Sequence, residues 1–467
     1  MSRIVIVSNR LADPRKTAAG GLAVAIGDAL QDSGGMWFGW SGRVVEPGQT
    51  AGTRTAQVRN VGAVTTATID LTRAEYDSYY LGYSNSVLWP VFHYRLDLAQ
   101  FRTDFLEGYR RVNRLFAQAL APLLREDDLV WVHDYHLIPL AAELRAMGCR
   151  HRIGFFLHVP LPPPPILAAL PAHEWLMHAL FAYDLIGLQS EEDARHFSRH
   201  VQREGAAEAL PGQRFRAFGR TLRAQAFPIG IDVDDFRVMC RAPEAVATFE
   251  HMRDEYAKRR LLVGVDRLDY SKGLPQRLQA FNELLHRYPE NRNSATLIQV
   301  ASPSRESVDA YAAIRQELEH LCGSINGEFG ELDWMPVRYL HRTIARRRLP
   351  GLYQASCVAL VTPLRDGMNL VAKEFIAAQD EDDPGVLVLS RFAGAAEQLH
   401  EAVLVNPYDI PATADAIQRA LRMPREERVR RHQALLETIR RQDVKWWRSA
   451  YLDALREVEA PREAAAA

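Results

Sequence analysis

The segment VTPLRDGMNLVAKEF, residues 361–375, passes from an apolar strand pattern straight into a helix pattern, with an arginine, an aspartate, a glycine and an asparagine at the junction. Gly367 lets backbone come close to a bound molecule, and the amides of Gly367, Met368, Asn369 and Leu370 open a helix whose N-terminus favours hydroxyl or phosphate oxygens. Asp366 and Glu374 can accept hydrogen bonds from sugar hydroxyls. Glu374 lies inside the helix, but helical side chains lean toward the N-terminus, so it stays within reach. The same residues also fit a plain turn, with Asp366 as a helix cap and Glu374 as a surface charge matched to the dipole.

A second stretch, VGVDRLDYSKGLPQR, sets Arg267 at the end of an apolar strand pattern and Lys272 where the next helix begins, both read as standing at an exposed loop. A cation beside the positive end of a helix makes sense if an anion binds between them, and a diphosphate suits a guanidinium fork next to an ammonium. The alternative is two solvated loop charges. It is less comfortable because lysine is scarce, occurring only at Lys16, Lys258, Lys272, Lys373 and Lys445.

In the first half, Arg10, Asp134 and His158 each end a strand pattern, in VSNR, VWVHDYH and FFLHVP. Parallel strands bring such ends to one edge. His158 alone would read as a satisfied core histidine; the shared edge shifts the balance. Gly20 and Gly21 precede a helix pattern and offer close approach to a phosphate, but they do not make the Gly-x-Gly-x-x-Gly of a nicotinamide or flavin site. Thr72 and Glu75 have capping-box spacing, which puts Tyr79 and Tyr80 on the helix that follows, near Trp89; aromatic rings there suit either sugar faces or core packing. His133 with His136, and the run Asp232 to Asp235, lack further ligands at metal spacing and read as non-metal.

These residues need elements to hold them. Short β-branched runs alternate with helix-period runs almost throughout, the signature of parallel sheets covered on both faces, and the pattern restarts after AFPIGIDVDDF. The expectation is an α/β chain of two doubly wound halves facing a cleft, residues 1–230 and 231–440. A helix over about 441–457 would pack back onto the first half, and 458–467 would form a disordered tail. Trp446 and Trp447 read as core or domain-contact residues.

The 467 residues are 47% hydrophobic and 25% charged with a net charge of -1, so no overall field attracts nucleic acid or an anionic membrane. No apolar run approaches a membrane span, and four scattered cysteines fit a reduced, cytoplasmic protein.

The segments VSNR, AGGL, WFGWSG, SNSVLWPVFHYR, VWVHDYHL, FFLHVP, DRLDYSKGLPQR, SPSR, VTPLRDGMNLVAKEF and FAGAAEQL together resemble the trehalose-6-phosphate synthases, from residue 1 to about 455. That resemblance implies the two-Rossmann GT-B fold. It implies transfer of glucose from a nucleotide sugar, usually UDP-glucose, to the anomeric hydroxyl of glucose 6-phosphate, with retention and without metal or cofactor. By the same resemblance Asp366 and the amides of 367–370 hold the donor glucose and Glu374 the ribose. Arg267, Lys272 and the Gly21 region clamp the diphosphate. Arg10, Tyr80 and Arg305 hold the acceptor phosphate, Trp89 and Asp134 the acceptor sugar, and His158 lies near the reacting centre. Asp134, His158, Arg267 and Lys272 are thus the catalytic set.

After HVPLP the chain reads PPPILAAL where that family usually has a serine or threonine and a glutamate, so Pro164 and Pro165 alter a loop bordering the expected cleft. Rival readings are a pseudo-glycosyltransferase joining cyclitols and a non-catalytic sugar-phosphate sensor; the intact set Arg267, Lys272 and Glu374 weighs against the second. The nucleobase and any homo-oligomer stay open.

Overall fold

The computed structural model describes residues 2–11, 30, 34–46, 55–62, 64–203, 207–304 and 309–458. Two compact units emerge, one formed by residues up to Pro228 together with those from Trp447, the other by Ile229–Trp446. Gly21 and Arg305 lie outside the described residues.

In the first unit the described strands are β1 Ile4–Arg10, β2 Gly35–Val45, β3 Gln57–Val61, β4 Val64–Thr72, β5 Leu129–His133, β6 Arg152–Phe156, β7 Leu185–Leu188, β8 Glu208–Leu210, β9 Arg214–Ala217 and β10 Arg220–Ala226. They form one sheet in the order β3-β4-β2-β1-β5-β6-β7-β10-β9-β8. The central strands run parallel, while β3, β8 and β9 pair antiparallel at the edges. Continuous apolar runs such as Val5–Val7 and Leu129–Val132 are buried, as expected for strands covered on both faces. The winding reverses between β1 and β5, which pair from Ile4↔Leu129 to Val7↔Val132.

Thr72 starts the next helix with the full capping box. Its hydroxyl accepts from the Glu75 amide while Glu75 accepts from the Thr72 amide. The chain then widens into π-helix over Tyr76–Leu88. Near the other end of the sequence, the helix Val444–Glu457 carries Trp447 and Tyr451, both wholly buried and one turn apart. Tyr451 stacks on Trp131 of β5 with centroids 4.5 Å apart, and its hydroxyl donates to the Phe155 carbonyl of β6 at 3.1 Å.

The second unit holds β11 Arg260–Arg267, β12 Ala295–Ser302, β13 Val337–Leu340, β14 Val358–Val361, β15 Val386–Ser390 and β16 Val403–Val405. All are parallel, in the order β13-β12-β11-β14-β15-β16. This is the dinucleotide-fold order, with the first strand central and the winding reversing between β11 and β14. Ligands of such sheets sit beyond the strand carboxyl ends at that reversal. Among the described residues no helix is long and apolar enough to cross a membrane.

Candidate active site

The described site residues read from the sequence fall into two groups, one in each unit. In the second unit Arg267 ends β11 and its side chain is exposed. Lys272 follows in the turn Tyr270–Lys272, which Asp269 caps by accepting from the Ser271 amide at 2.9 Å. Gly273 comes next with φ 64°, and a Cβ there would strike the Thr362 carbonyl beyond β14. That close approach, with the Leu364 amide donating to the Ser271 carbonyl at 2.8 Å, sets the β11 and β14 loops against each other.

The consequence is an ion pair that spacing alone would not reveal. Lys272 Nζ donates to Asp366 Oδ2 at 2.5 Å, with side chains only 11% and 13% exposed. Lys272 is therefore neither exposed nor a solvated loop charge, as the sequence had suggested; the β14 loop covers and pairs it. Asp366 is not the helix cap of the plainer reading. The helix Leu370–Ala378 starts after Asn369, whose side chain makes no capping bond; instead Asn369 Nδ2 donates to Asp366 Oδ2 at 3.0 Å.

The junction is braced from behind. The Gly394 amide donates to the Asp366 carbonyl at 3.1 Å and the Ala395 amide to the Met368 carbonyl at 2.9 Å. A Cβ on Gly394 would collide with the Gly367 carbonyl. Met368 is buried, so its backbone is what it can offer a ligand. Glu374 lies one turn into the helix, 3.5 Å from the Tyr353 hydroxyl; burial pushes its carboxyl up to about 7, against the opposing pull of Arg346.

In the first unit Arg10 closes β1, and the β1–β2 register shifts between Ser8 and Arg10, a bulge that re-aims the strand end. Its guanidinium lies over Trp40, 5.6 Å from the ring centroid. Tyr80 is 5.8 Å from the same ring and stacks on Tyr76 and His136, so Arg10 and Tyr80 share one aromatic cluster. Trp89 borders that cluster: it is 4% exposed and packs on His93 and Tyr135, and Tyr135 lies 4.0 Å from the His136 ring.

Asp134 follows β5 with φ 77°, an unusual conformation for a non-glycine residue and one often kept at functional positions. Its amide donates to the Phe156 carbonyl at 2.8 Å, and its Oδ1 accepts from the His158 amide at 3.2 Å. His158 Nε2 is 3.0 Å from His133 Nδ1, and His158 Nδ1 is 3.3 Å from Gln189 Nε2. Burial lowers the His158 imidazole to about 3 and holds His133 well below its ordinary value, so both are neutral near pH 7. Each ring nitrogen of His158 thus has a polar neighbour, Gln189 at Nδ1 and His133 at Nε2.

Pro164 opens the short helix Pro164–Leu167, a position that needs no amide, and Pro163 before it is extended. The altered loop thus folds without an unsatisfied donor at those prolines. Among the described residues no group of three His, Cys, Asp or Glu side chains could hold a metal ion.

Sequence reasoning missed Arg277. It is 1% exposed, and its guanidinium meets Asp266 at 2.5 Å, Gln299 at 2.9 Å and Thr362 at 3.0 Å, tying β11, β12 and the end of β14 together beneath Lys272. An arginine on an amphipathic helix gives no sign of this. Arg346 and Tyr353 beside Glu374 were missed for the same reason.

Residues 6–457 match glycosyltransferase family 20. A trehalose-6-phosphate synthase of Sinorhizobium fredii is 48% identical over 459 residues, covering 97% of this chain and 98% of that one. Among solved structures, the UDP-forming α,α-trehalose-phosphate synthase of Burkholderia xenovorans in complex with glucose-6-phosphate is 49% identical, with a TM-score of 0.93 over 97% of this chain and 100% of its own. An E. coli structure bound with UDP-2-fluoro glucose is 44% identical, with a TM-score of 0.93 over 98% and 100%. A match along almost the whole chain, with relatives near half identity over nearly their full lengths, means that the chain belongs to glycosyltransferase family 20.

Proposed function

We propose that this protein transfers glucose from UDP-glucose to the anomeric hydroxyl of glucose 6-phosphate, with retention, giving UDP and α,α-trehalose 6-phosphate. The observation that carries the reading is the convergence at the β11/β14 reversal. Lys272 pairs with the carboxylate Asp366 just before the helix-opening amides of 367–370, and a second cation, Arg267, ends β11, the strand that leads to Lys272. Cations and helix amides suit a diphosphate, while the carboxylate and amides suit sugar hydroxyls.

In the reaction the bond from donor C1 to the diphosphate oxygen breaks as the acceptor hydroxyl oxygen bonds to C1 on the same face. The departing phosphate oxygen takes the acceptor proton. Arg267 and Lys272 stabilise the charge that develops on the diphosphate, so no carboxylate nucleophile is needed. Asp366 turns from Lys272 toward the donor sugar, and Glu374 receives the ribose hydroxyls. Arg10 and Tyr80 take the acceptor phosphate, and Asp134 orients the acceptor sugar. His158, neutral and held at both nitrogens, acts by position and not as a titrating acid.

The test is incubation with glucose 6-phosphate and, separately, UDP-, GDP- and ADP-glucose, following formation of a non-reducing disaccharide phosphate. Product with UDP-glucose is expected, and no product from any donor would overturn the reading. Repeating the assay with a chelator asks whether two protein cations suffice at the diphosphate; loss of turnover would show that they do not.

A further inference from the structure

Lys373 is wholly buried, one residue before Glu374 on the helix Leu370–Ala378. Its Nζ donates to two neutral oxygens, the Ile229 carbonyl and Gln398 Oε1, each at 2.7 Å. Gln398 Nε2 continues to Gln442 Oε1 at 2.5 Å. The Val444 amide donates to the Ile231 carbonyl at 3.2 Å, and Gly230 lies so close to Gln442 and Asp443 that a Cβ would strike their backbone. Ile229 is where the chain enters the second unit, and Gln442–Val444 is where it is about to leave.

Gln398 also ends the turn Gly394–Glu397, whose first amides brace Asp366 and Met368 from behind. One ammonium therefore joins four things: the helix bearing Glu374, the turn that backs Asp366, the entering segment and, through Gln398, the leaving segment. An aliphatic side chain in its place would leave the Ile229 carbonyl and the Gln398 amide oxygen without these donors inside the unit. Burial lowers the Lys373 ammonium to about 7, so the site is a costly place for a charge, tolerable because two oxygens converge on it.

We infer that Lys373 is a positioning residue for the donor: it fixes the Glu374 helix and the Asp366 junction in register by pinning both to the segments through which the chain enters and leaves the second unit. It touches no substrate. The inference rests on the donor assignment of Glu374 and Asp366 made above.

The test is Lys373→Met, which keeps the length and removes the donors, alongside Gln398→Ala, Gln442→Ala and Glu374→Gln. Lys373→Met should raise the KM for UDP-glucose and the Kd for UDP by roughly 10-fold, about what a displaced charge-assisted hydrogen bond is worth. The KM for glucose 6-phosphate should stay within about 2-fold, because uniform loss of structure, unlike misplacement of one helix, would move both. Gln398→Ala should shift the donor constants in the same direction by less, and hydrogen exchange at the Gly394, Ala395 and Val444 amides should quicken in both variants. If Lys373→Met does not fold, Gln398→Ala and Gln442→Ala decide. Folded variants with unchanged donor constants, or with donor and acceptor constants rising equally, overturn the inference. If Glu374→Gln also leaves UDP affinity unchanged, the donor assignment falls; if it weakens UDP while the Lys373 series is silent, only the positioning role falls.

Discussion

Replacing Lys272 by methionine leaves Asp366, among the described residues, with the Asn369 side-chain amide at 3.0 Å on an oxygen that had held an ammonium at 2.5 Å. Breaking a fully buried ion pair on one side costs about 3–5 kcal/mol. Here each side chain keeps roughly a tenth of its exposure, enough for water to relax part of that, so about 2–3 kcal/mol is expected. For a unit of this size that lowers the Tm by roughly 4–12 °C. Asp366→Asn should cost about as much, because it strands the ammonium. The double variant Lys272→Met/Asp366→Asn strands neither charge, so it should be less destabilised than the sum of the two by about 1.5–2.5 kcal/mol. The assay is thermal unfolding of the four proteins, with and without UDP. A saturating nucleotide at about 100 times its Kd stabilises by roughly 2.7 kcal/mol, and the proposed clamp requires that gain to shrink in Lys272→Met. Additive single effects, with coupling below about 0.5 kcal/mol, would refute the claim that the pair is structural in the free protein. A full UDP-induced gain in Lys272→Met would refute the clamp.

Arg267 is exposed, so Arg267→Ala should leave Tm nearly unchanged and cut turnover by about 10- to 100-fold, the worth of one charge-assisted contact in the transition state; near-normal turnover would remove it from the clamp. Glu374→Gln should mainly raise the KM for UDP-glucose, and a fall in kcat at constant KM would point to a chemical role instead. Glu374 is raised from 4.5 to about 7 in the fold, so the folded state holds the extra proton between those values and its contribution to stability falls as pH rises through them. Lys373 is lowered from 10.5 to about 7, so the unfolded state holds the extra proton above 7 and stability rises with pH there. Together they should place a minimum near pH 7 in the wild-type stability profile relative to Lys373→Met/Glu374→Gln, and a flat difference would contradict both shifts. Free glucose should be a poorer acceptor than glucose 6-phosphate by at least about 100-fold, and Arg10→Ala should narrow that gap without changing UDP affinity; equal use of both acceptors by the wild type would dismiss the phosphate site.

Much of this architecture is legible in the sequence because it is periodic. Buried parallel strands read as apolar runs, and a candidate site residue at or just past the end of such a run, Arg10, Asp134, His158 or Arg267, lands near a strand end wherever the run stops. Thr72 and Glu75 are legible for a similar reason, since the capping box is local. What escapes is what depends on meetings between distant segments. Lys272 and Asp366 are 94 positions apart, and the approach of Gly273 to Thr362 with the Leu364–Ser271 bond brings their loops together. Arg277 looks like any polar face of a helix until Asp266, Gln299 and Thr362 surround it. The π-helical stretch Tyr76–Leu88 escapes for another reason: a shift from i→i+4 to i→i+5 bonding leaves no mark in hydrophobic spacing.

The helix that stacks Tyr451 on Trp131 and seats Trp447 beside it has a consequence for how the protein is made. A ribosome delivers β5 and β6 early but reaches Trp447 only after the whole of Ile229–Trp446, roughly 220 residues at about 5–20 residues per second. For some 10–45 seconds the nascent first unit presents the uncovered rings of Trp131 and Phe156, while the second unit can close on itself. The half that is translated first is thus the half that matures last. A chain stopped just short of residue 447 would release a finished second unit attached to a sticky, incomplete first one, a natural client for chaperones.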